Sequence, residues 1–432
     1  MTSIRKIVII TKYGIMRIER KEYLDRLVRR MWNGSIKVVT GVRRCGKSYL
    51  IFNLFRDYLA RSGVDDRHVI VVELDRLENE SLREKHALLE HITKRVRGRG
   101  RYYILIDEIQ LVPEFEDVLN SLMHIENADT YVTGSNSEHL SSDINTNFRG
   151  RGDEVHIAPL SFSEYRSAHG GTDDEAWNDY ILYGGLPKIL SCPDDEAKQR
   201  YLENVFRRLY VKDIRDRLNL RNDVDLSELV EVIASSVGSL TNAQRLADTF
   251  LGVKRRKMSD KTVTKYLNAL GNAYLTEKVR RYDVRGRKYI GAIAKYYFTD
   301  LGIRNFVLSW RQVEENHLME NAIYNELRFR GFNVDVGVVE VWGKDKAGNR
   351  VRISCEVDFV CTQGPRKYYV QSAFAMPTRE KQEQEQRSLN CIDDSFRKII
   401  VERSALKPRR TEKGVLVLGL FDFLLHPETM DL

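Results

Sequence analysis

Short uninterrupted apolar runs alternate with helically spaced stretches through the first third of the chain. IKVVT at 36–40, HVIVVEL at 68–74, the centre of RYYILIDEIQ at 101–110 and the start of DTYVTGSNS at 129–137 lack polar alternation. They read as strands buried on both faces. SYLIFNLFRDYLA, directly after the first run, and PEFEDVLNSLMHI, before the fourth, carry helical periodicity. Residues 19–32 predict a further helix beside the first strand. Strands separated by helical crossovers predict a parallel sheet and an α/β fold.

The pattern changes after residue 168. HGGTDDEAWNDY at 169–180 reads as a polar boundary. ILYGGLPKIL follows it, and CPDDEAKQRYLENVFRRLYVKDIRDRL then predicts a helix capped by Asp194 or Asp195. Residues 169–224 thus read as a helical linker or lid. From 225 three helices are predicted: DLSELVEVIASSVGSL, then LTNAQRLADTFLG capped by Thr241, then MSDKTVTKYLNALGNAY capped by Ser259 or Asp260. Two strands around Arg285-Gly286 follow, so 225–292 predicts a winged helix-turn-helix. In 293–432 a helix at 314–330 precedes VDVGVVEVW, RISCEVDFVCT and RKYYVQSAFA, read as strands. A helix over TREKQEQEQRSLNCIDD and strands over KIIVER and GVLVLGLFDFLL complete the region. That order resembles the restriction-endonuclease-like PD-(D/E)xK fold.

Composition changes this picture little. The chain has 432 residues, 42% hydrophobic and 31% charged, as expected for two to four folded domains. No apolar run reaches the roughly eighteen residues of a membrane span. IRKIVII at 4–10 is too short and lacks a cleavage site, so no signal peptide is expected. Cysteines 45, 192, 355, 361 and 391 form no C-x-x-C pair, which points to a reducing, cytoplasmic setting rather than a disulfide scaffold. The net charge of +8 favours a polyanionic partner. It is concentrated: residues 252–290 hold twelve Lys or Arg against three Asp or Glu.

The candidate chemistry starts at the end of the first strand. Gly41, Val42, Arg43, Arg44, Cys45, Gly46, Lys47 and Ser48 fit G-x-x-x-x-G-K-[ST], with Tyr49 opening the helix behind them. Backbone N–H groups of such a loop cradle phosphate, the lysine reaches the β- and γ-phosphates, and the serine holds Mg²⁺. ATP and Mg²⁺ are therefore the expected cofactors. Asp107 and Glu108 follow the YYILI run; Asp107 is placed to hold Mg²⁺ and Glu108 to polarise the attacking water. Ser135 or Asn136, after the fourth run, would orient that water. Arg149 and Arg151 sit in a glycine-flanked turn, and Arg151, after Gly150, is the better candidate for an arginine acting on the γ-phosphate, in cis or on a neighbour.

Together these pieces resemble prokaryotic ATPases of the AAA+ superfamily whose short ATPase domain carries G-x-R-R-x-G-K-[ST] and then P-L-S-F-x-E-Y, here Pro159 to Tyr165. A C-terminal domain family of undefined function follows in that group. ILYGGLP at 181–187, RYD, KYYFTDLGIRN and ENAIYNELRFRGF match it. The resemblance runs from about residue 16 and implies ATP binding and hydrolysis by a P-loop ATPase region at 16–168. MRIERKEYLDRL resembles the group's usual opening, so residues 1–15 read as an extension or as a start assigned upstream.

The remaining candidates concern partners. Arg255, Arg256, Lys261, Lys265, Arg280, Arg281 and Arg285 are arranged as a basic third helix and wing over a nucleic-acid backbone, and no Asn or Gln pattern declares a base sequence. In 293–432 the nuclease constellation is incomplete. Glu320 and Asp358 supply carboxylates, but Gln371 stands at the Glu position and Ala373 at the Lys position of the next strand. Glu356 joins Asp358 on one face only if the strand is regular. This predicts a degenerate nuclease fold used for binding. The expected whole is an ATPase coupled to conformational switching and to nucleic-acid or protein binding, with homo-oligomers open. The alternatives are a nucleotide-dependent regulator without fast turnover and an ATP-dependent nuclease.

Overall fold

The apolar runs of the first third form one parallel sheet in the computed structural model, which describes residues 17–134, 152–220, 224–344, 349–404 and 407–432. The strands are β1 (Ile36–Gly41), β2 (Val69–Glu73), β3 (Tyr102–Asp107), β4 (Ala128–Thr133) and β5 (Gly152–Ile157). Their order is β2-β3-β4-β1-β5, with every neighbouring pair parallel. Ile36, Val38, Ile70, Val72, Ile104, Ile106 and Val132 pack under Leu88 and Ile92 of helix Lys85–Thr93 and Val118, Leu119 and Leu122 of helix Phe115–Met123. The alternate side chains meet the helix after the glycine loop: Phe55 lies 4.6 Å from the Tyr131 ring and 6.4 Å from Tyr103. Covering both faces explains why these strands need no polar alternation. That helix spans 47–61 with a π-helical stretch, Leu50–Phe55, in its middle.

Lys37 breaks the apolar pattern of β1 and is fully buried. Burial lowers its pKa, and the ion pair with Asp129 on β4 opposes that shift. Asp129 also accepts from the Tyr131 hydroxyl at 2.7 Å and from the Trp32 N–H at 3.0 Å. A buried charge is tolerable only with such full pairing. The helix ahead of β1, Lys21–Arg29, is shorter than the predicted one.

The chain divides into two compact units: Met1–Pro159 with Leu186–Ser191 and Asn272–Tyr274, and Leu160–Gly185 with Cys192–Gly271 and Leu275–Leu432. The second opens with two capped helices. Ser161 and Glu164 form a reciprocal cap on helix Phe162–Ala168, and Thr172 and Glu175 do the same on helix Asp173–Tyr183. The stretch expected to be a polar boundary is therefore an ordered helix, anchored by the fully buried Trp177. Helical residues 195–218 follow, capped by Asp194, which accepts from the Ala197 N–H at 2.8 Å.

Helices Val224–Ser235, Ala243–Lys254 and Asp260–Asn272 come next. Asn242 caps the second of them through the Arg245 N–H at 2.8 Å. The predicted cap, Thr241, instead pairs through its backbone with Ala294. The hairpin that follows is β6 (Thr276–Asp283) and β7 (Lys288–Phe298), its turn held by Asp283 Oδ1, which accepts from the Gly286 N–H at 2.8 Å.

The hairpin joins a mixed sheet with β8 (Asn333–Lys344), β9 (Arg350–Gln363), β10 (Arg366–Ala373), β11 (Arg397–Glu402), β12 (Arg409–Arg410) and β13 (Leu416–Gly419). The order of this eight-stranded sheet is β12-β13-β11-β10-β9-β8-β6-β7. Helix Arg379–Asn390 makes the crossover that lets β11 run parallel to β10. GVLVLGLFDFLL is not one strand: β13 stops at Gly419, and Leu420, Phe423 and Leu424 are buried at helical spacing in helix Leu420–Leu425.

Two of the sequence motifs interlock in this unit. Asp300 Oδ2 accepts from the Gly185 N–H at 2.9 Å, and Asn305 Nδ2 donates to the Ile181 carbonyl at 2.7 Å. A Cβ on Gly302 would stand 2.0 Å from the Tyr183 carbonyl oxygen, so only glycine fits this crossing. Arg304 is buried beside it and donates to the Ala234 carbonyl at 3.0 Å. ILYGG and TDLGIRN are therefore a packing lock. Among the described residues no helix is long and apolar enough to cross a membrane, and all five cysteines are free thiols.

Candidate functional site

The glycine loop leaves the C-terminal end of β1 with Gly41, Arg44 and Gly46 at φ of 132°, 66° and 99°. A Cβ on Gly41 would lie 2.0 Å from the Ile157 carbonyl oxygen. This close approach to β5 and the left-handed turn at Gly46 account for the two glycines of the motif. Lys47 begins the helix and is only 7% exposed. Its ammonium donates to the Gly41 carbonyl at 3.0 Å and to the Val42 carbonyl at 3.2 Å. It is thus folded across the loop onto neutral acceptors.

Asp107 ends β3 and is buried. Burial pushes its carboxyl pKa up, and hydrogen bonds from Thr133 and Ser48 counter part of that rise. Thr133, at the end of β4, donates to Asp107 Oδ1 and accepts from the Glu108 N–H at 3.0 Å. Glu108 turns out of the strand at φ 51°, and the Gln110 amide donates to its Oε2. The C-terminal ends of β1, β3 and β4 so bring Lys47, Ser48, Asp107, Glu108 and Thr133 to one edge of the sheet. Ligands bind at that edge in open parallel sheets. Ser135, Asn136, Arg149 and Arg151 lie outside the described residues.

Thr133 and Arg20 are site residues that the sequence pattern does not announce. Thr133 closes an apolar strand, and only the register of β4 between β1 and β3 gives it a role. Arg20 is 4% exposed; it donates to the Cys45 carbonyl at 3.2 Å and to the Ala158 carbonyl at 2.7 Å, bracing the loop from behind. Cys45 is buried, and burial raises its thiol pKa. That argues against the redox role open to a loop cysteine. Burial likewise raises the Tyr49 phenol.

In the second unit, Glu320, Asp358 and Gln371 come together. Glu320 lies on helix Glu315–Phe329, Asp358 on β9 and Gln371 on β10. The Asp358 N–H meets Gln371 Oε1 at 3.3 Å, and Asp358 Oδ2 accepts from the Ser372 N–H at 2.9 Å. Ala373 leaves the expected lysine position without a charge, but Lys295 of β7 supplies an ammonium from elsewhere. It lies 2.8 Å from Glu320, 2.8 Å from Glu356 and 3.6 Å from Asp358. β9 is not regular here. Pairing with β8 slips between Asp335↔Val360 and Gly337↔Val357, so β9 carries a bulge at Asp358–Phe359, and Glu356 and Asp358 still reach the same ammonium. No sequence spacing signals a lysine from so distant a strand.

The basic residues sort into two groups. Arg255, Lys261, Lys265 and Arg280 are exposed, with Arg280 stacked 3.7 Å over the Tyr289 ring. Arg281 is half-buried. Arg256 is drawn onto Asp225 at 2.9 Å and onto Glu228. Arg285 donates to the carbonyls of Glu340 at 3.1 Å and Cys391 at 2.9 Å. Both remain exposed.

Comparison with known proteins agrees with the first unit's geometry. Residues 33–166 match the family described as AAA domain, and residues 174–314 match a domain of unknown function, DUF8612. An uncharacterized protein of Haemophilus influenzae is 30% identical over 415 residues, covering 95% of this chain and 99% of its own. Another, of Methanocaldococcus jannaschii, is 27% identical over 360 residues, covering 81% and 76%. Among solved structures, the Walker-type ATPase of Pyrococcus abyssi superposes with a TM-score of 0.48 at 16% identity, covering 69% of this chain and 97% of that one. By homology the chain has the ATP-binding and ATP-hydrolysing character typical of AAA+ proteins. It belongs to a family shared with the Haemophilus influenzae protein, with an AAA domain of P-loop ATPase fold over residues 33–166 and an additional domain of unknown function after it.

Proposed function

We propose that the first unit is a Mg²⁺-dependent ATPase whose nucleotide state switches the binding of a nucleic acid or protein partner. The observation that carries this is Lys47, detained on two carbonyls beside Ser48 and Asp107. The positive-φ cradle, the serine hydroxyl and the buried carboxyl fit a nucleotide and its metal. Residues 41–49 would line the phosphates, with Lys47 moving from the carbonyls to the β- and γ-phosphates. Ser48 and Asp107 would hold Mg²⁺, which, when bound, neutralises charge on the phosphate oxygens. Glu108 accepts the proton of the attacking water, Ser135 or Asn136 orients that water, and Arg151 stabilises the transferring group.

Phosphate release tests the assignment. Lys47→Ala should abolish it, and Glu108→Gln should keep nucleotide binding while losing turnover by about a hundredfold or more. Undiminished turnover in both would overturn it. A second reading, a nucleotide-bound regulator with slow turnover, is favoured by the Gln110 amide on Glu108, which restrains the proposed base. Gln110→Ala should then speed turnover.

For the rest of the chain we propose a winged-helix region at 225–292 and a nuclease-like region at 293–432 that binds rather than cuts. The exposed Arg255, Lys261, Lys265 and Arg280 are the phosphate-binding groups we assign, with Arg281 beside them and Arg256 and Arg285 secondary. Reversing the charge of the first four should weaken DNA or RNA binding and flatten its salt dependence by roughly one unit of slope for each phosphate left unneutralised. Unchanged affinity would point to a protein partner, or to a second copy of the chain.

A further inference from the structure

Lys295 is 3% exposed and has no part in the function proposed above. It leaves β7 and ends among carboxylates from two other elements, Glu320 on the helix and Glu356 and Asp358 on β9. Two of the carboxylates take further donors from within the unit. The Tyr297 hydroxyl donates to Glu320 Oε1 at 2.6 Å, and the Ser372 N–H donates to Asp358 Oδ2. Above Glu320 the chain passes close: a Cβ on Gly238 would lie 3.1 Å from Oε1.

Carboxylates converging from a helix and a strand ordinarily await a divalent cation, since several anions cannot stay buried together uncompensated. Here the compensation is covalently part of the chain. An ammonium offers three donors, and it is close to three carboxylates. Burial alone would lower the lysine's pKa, but Glu320, Asp358 and Glu356 together hold it well above the ordinary value, so it keeps its charge. Among the described residues no group of three or more His, Cys, Asp or Glu is arranged to hold a metal ion.

We propose that Lys295 is the resident cation of this cluster, standing where a divalent metal would otherwise stand. The carboxylates then fasten β7 to β9 and to helix Glu315–Phe329, and the site is closed to metal-dependent phosphodiester chemistry. The inference deepens the reading of this region as a binding module and rests on it only for the comparison with a nuclease site; the cluster's geometry stands alone.

Mn²⁺ uptake by the full, nucleotide-free chain tests it, read from the loss of the free-ion electron paramagnetic resonance signal. Wild type and Asp358→Asn should bind the same number of Mn²⁺ ions, so any ion at the P-loop cancels. Lys295→Met should take up one further ion and gain several degrees of thermal stability from it. Lys295→Met combined with Asp358→Asn should do neither. If Lys295→Met does not fold, Lys295→Met with Glu356→Gln carries the same test with less repulsion. An extra Mn²⁺ in wild type relative to Asp358→Asn would overturn the proposal, as would a folded Lys295→Met that takes up no further ion. DNA affinity measured in parallel separates the readings, because its absence would sink the DNA-binding form of the module and leave the Mn²⁺ result intact.

Discussion

Lys47 and Lys295 are both buried, yet they are held in opposite ways. The ammonium of Lys47 rests on two backbone carbonyls of its own loop. That of Lys295 lies among three carboxylates from two other elements. Hydrogen bonds to neutral carbonyls contribute modestly, and a bound phosphate outcompetes them through its charge. A lysine among carboxylates gains too much from them to leave. Burial is therefore common to both, and the partner decides whether the residue is parked for use or fixed as structure.

The largest effect should separate the two residues outright. Lys47→Ala is expected to lower ATP turnover by about a thousandfold or more, with a urea midpoint close to wild type. Lys295→Met should do its damage to stability, by roughly 2–3 kcal/mol, because it strands the buried Asp358, with less from the more exposed Glu320 and Glu356. Urea unfolding of the two variants side by side is the measurement. Equal destabilisation would erase the distinction.

How far each site is legible in the sequence follows from the same contrast. The P-loop is legible because its parts are contiguous: phosphate chemistry needs glycine, lysine and serine at fixed spacing on one strand–turn–helix unit. Asp107 and Glu108 are legible because a strand end is visible in the hydrophobic pattern. Thr133 is not, since its value comes from the order in which β4 is inserted between β1 and β3. Lys295 is invisible for a stronger reason. Sequence spacing points to a lysine position two residues beyond Gln371, whereas tertiary pairing brings one from another strand, to 3.6 Å from Asp358. ILYGG and TDLGIRN read as family marks, and only packing explains their glycines.

The titration of Asp358 offers a finer probe of the locked lysine. Burial, and then the charge of Glu320, push its carboxyl up to about 7 against the attraction of Lys295. A carboxyl whose folded value exceeds its unfolded one contributes stability below about pH 4 and loses it as pH rises through about 7. Wild type should thus lose about 1 kcal/mol per pH unit between pH 5 and 7 relative to Asp358→Asn. A difference that stays flat across that window would mean that Lys295 satisfies Asp358 completely.

Arg20 tests which variable matters, because it combines the burial of Lys295 with the carbonyl partners of Lys47. It holds Cys45 of the loop and Ala158 just past β5 at once, with its guanidinium 4.6 Å over the Tyr23 ring. A lysine at this place keeps the charge but cannot span two carbonyls with one planar fork. Arg20→Lys should cost about 1 kcal/mol of stability and raise the KM for ATP a few-fold, with kcat nearly unchanged, since the loop loses a brace and no reacting group. Were kcat to fall with KM constant, Arg20 would belong with the lysine that is parked for use. Were stability to fall by several kcal/mol, burial rather than partner would be the governing term, and the contrast between Lys47 and Lys295 would have to be redrawn on that basis.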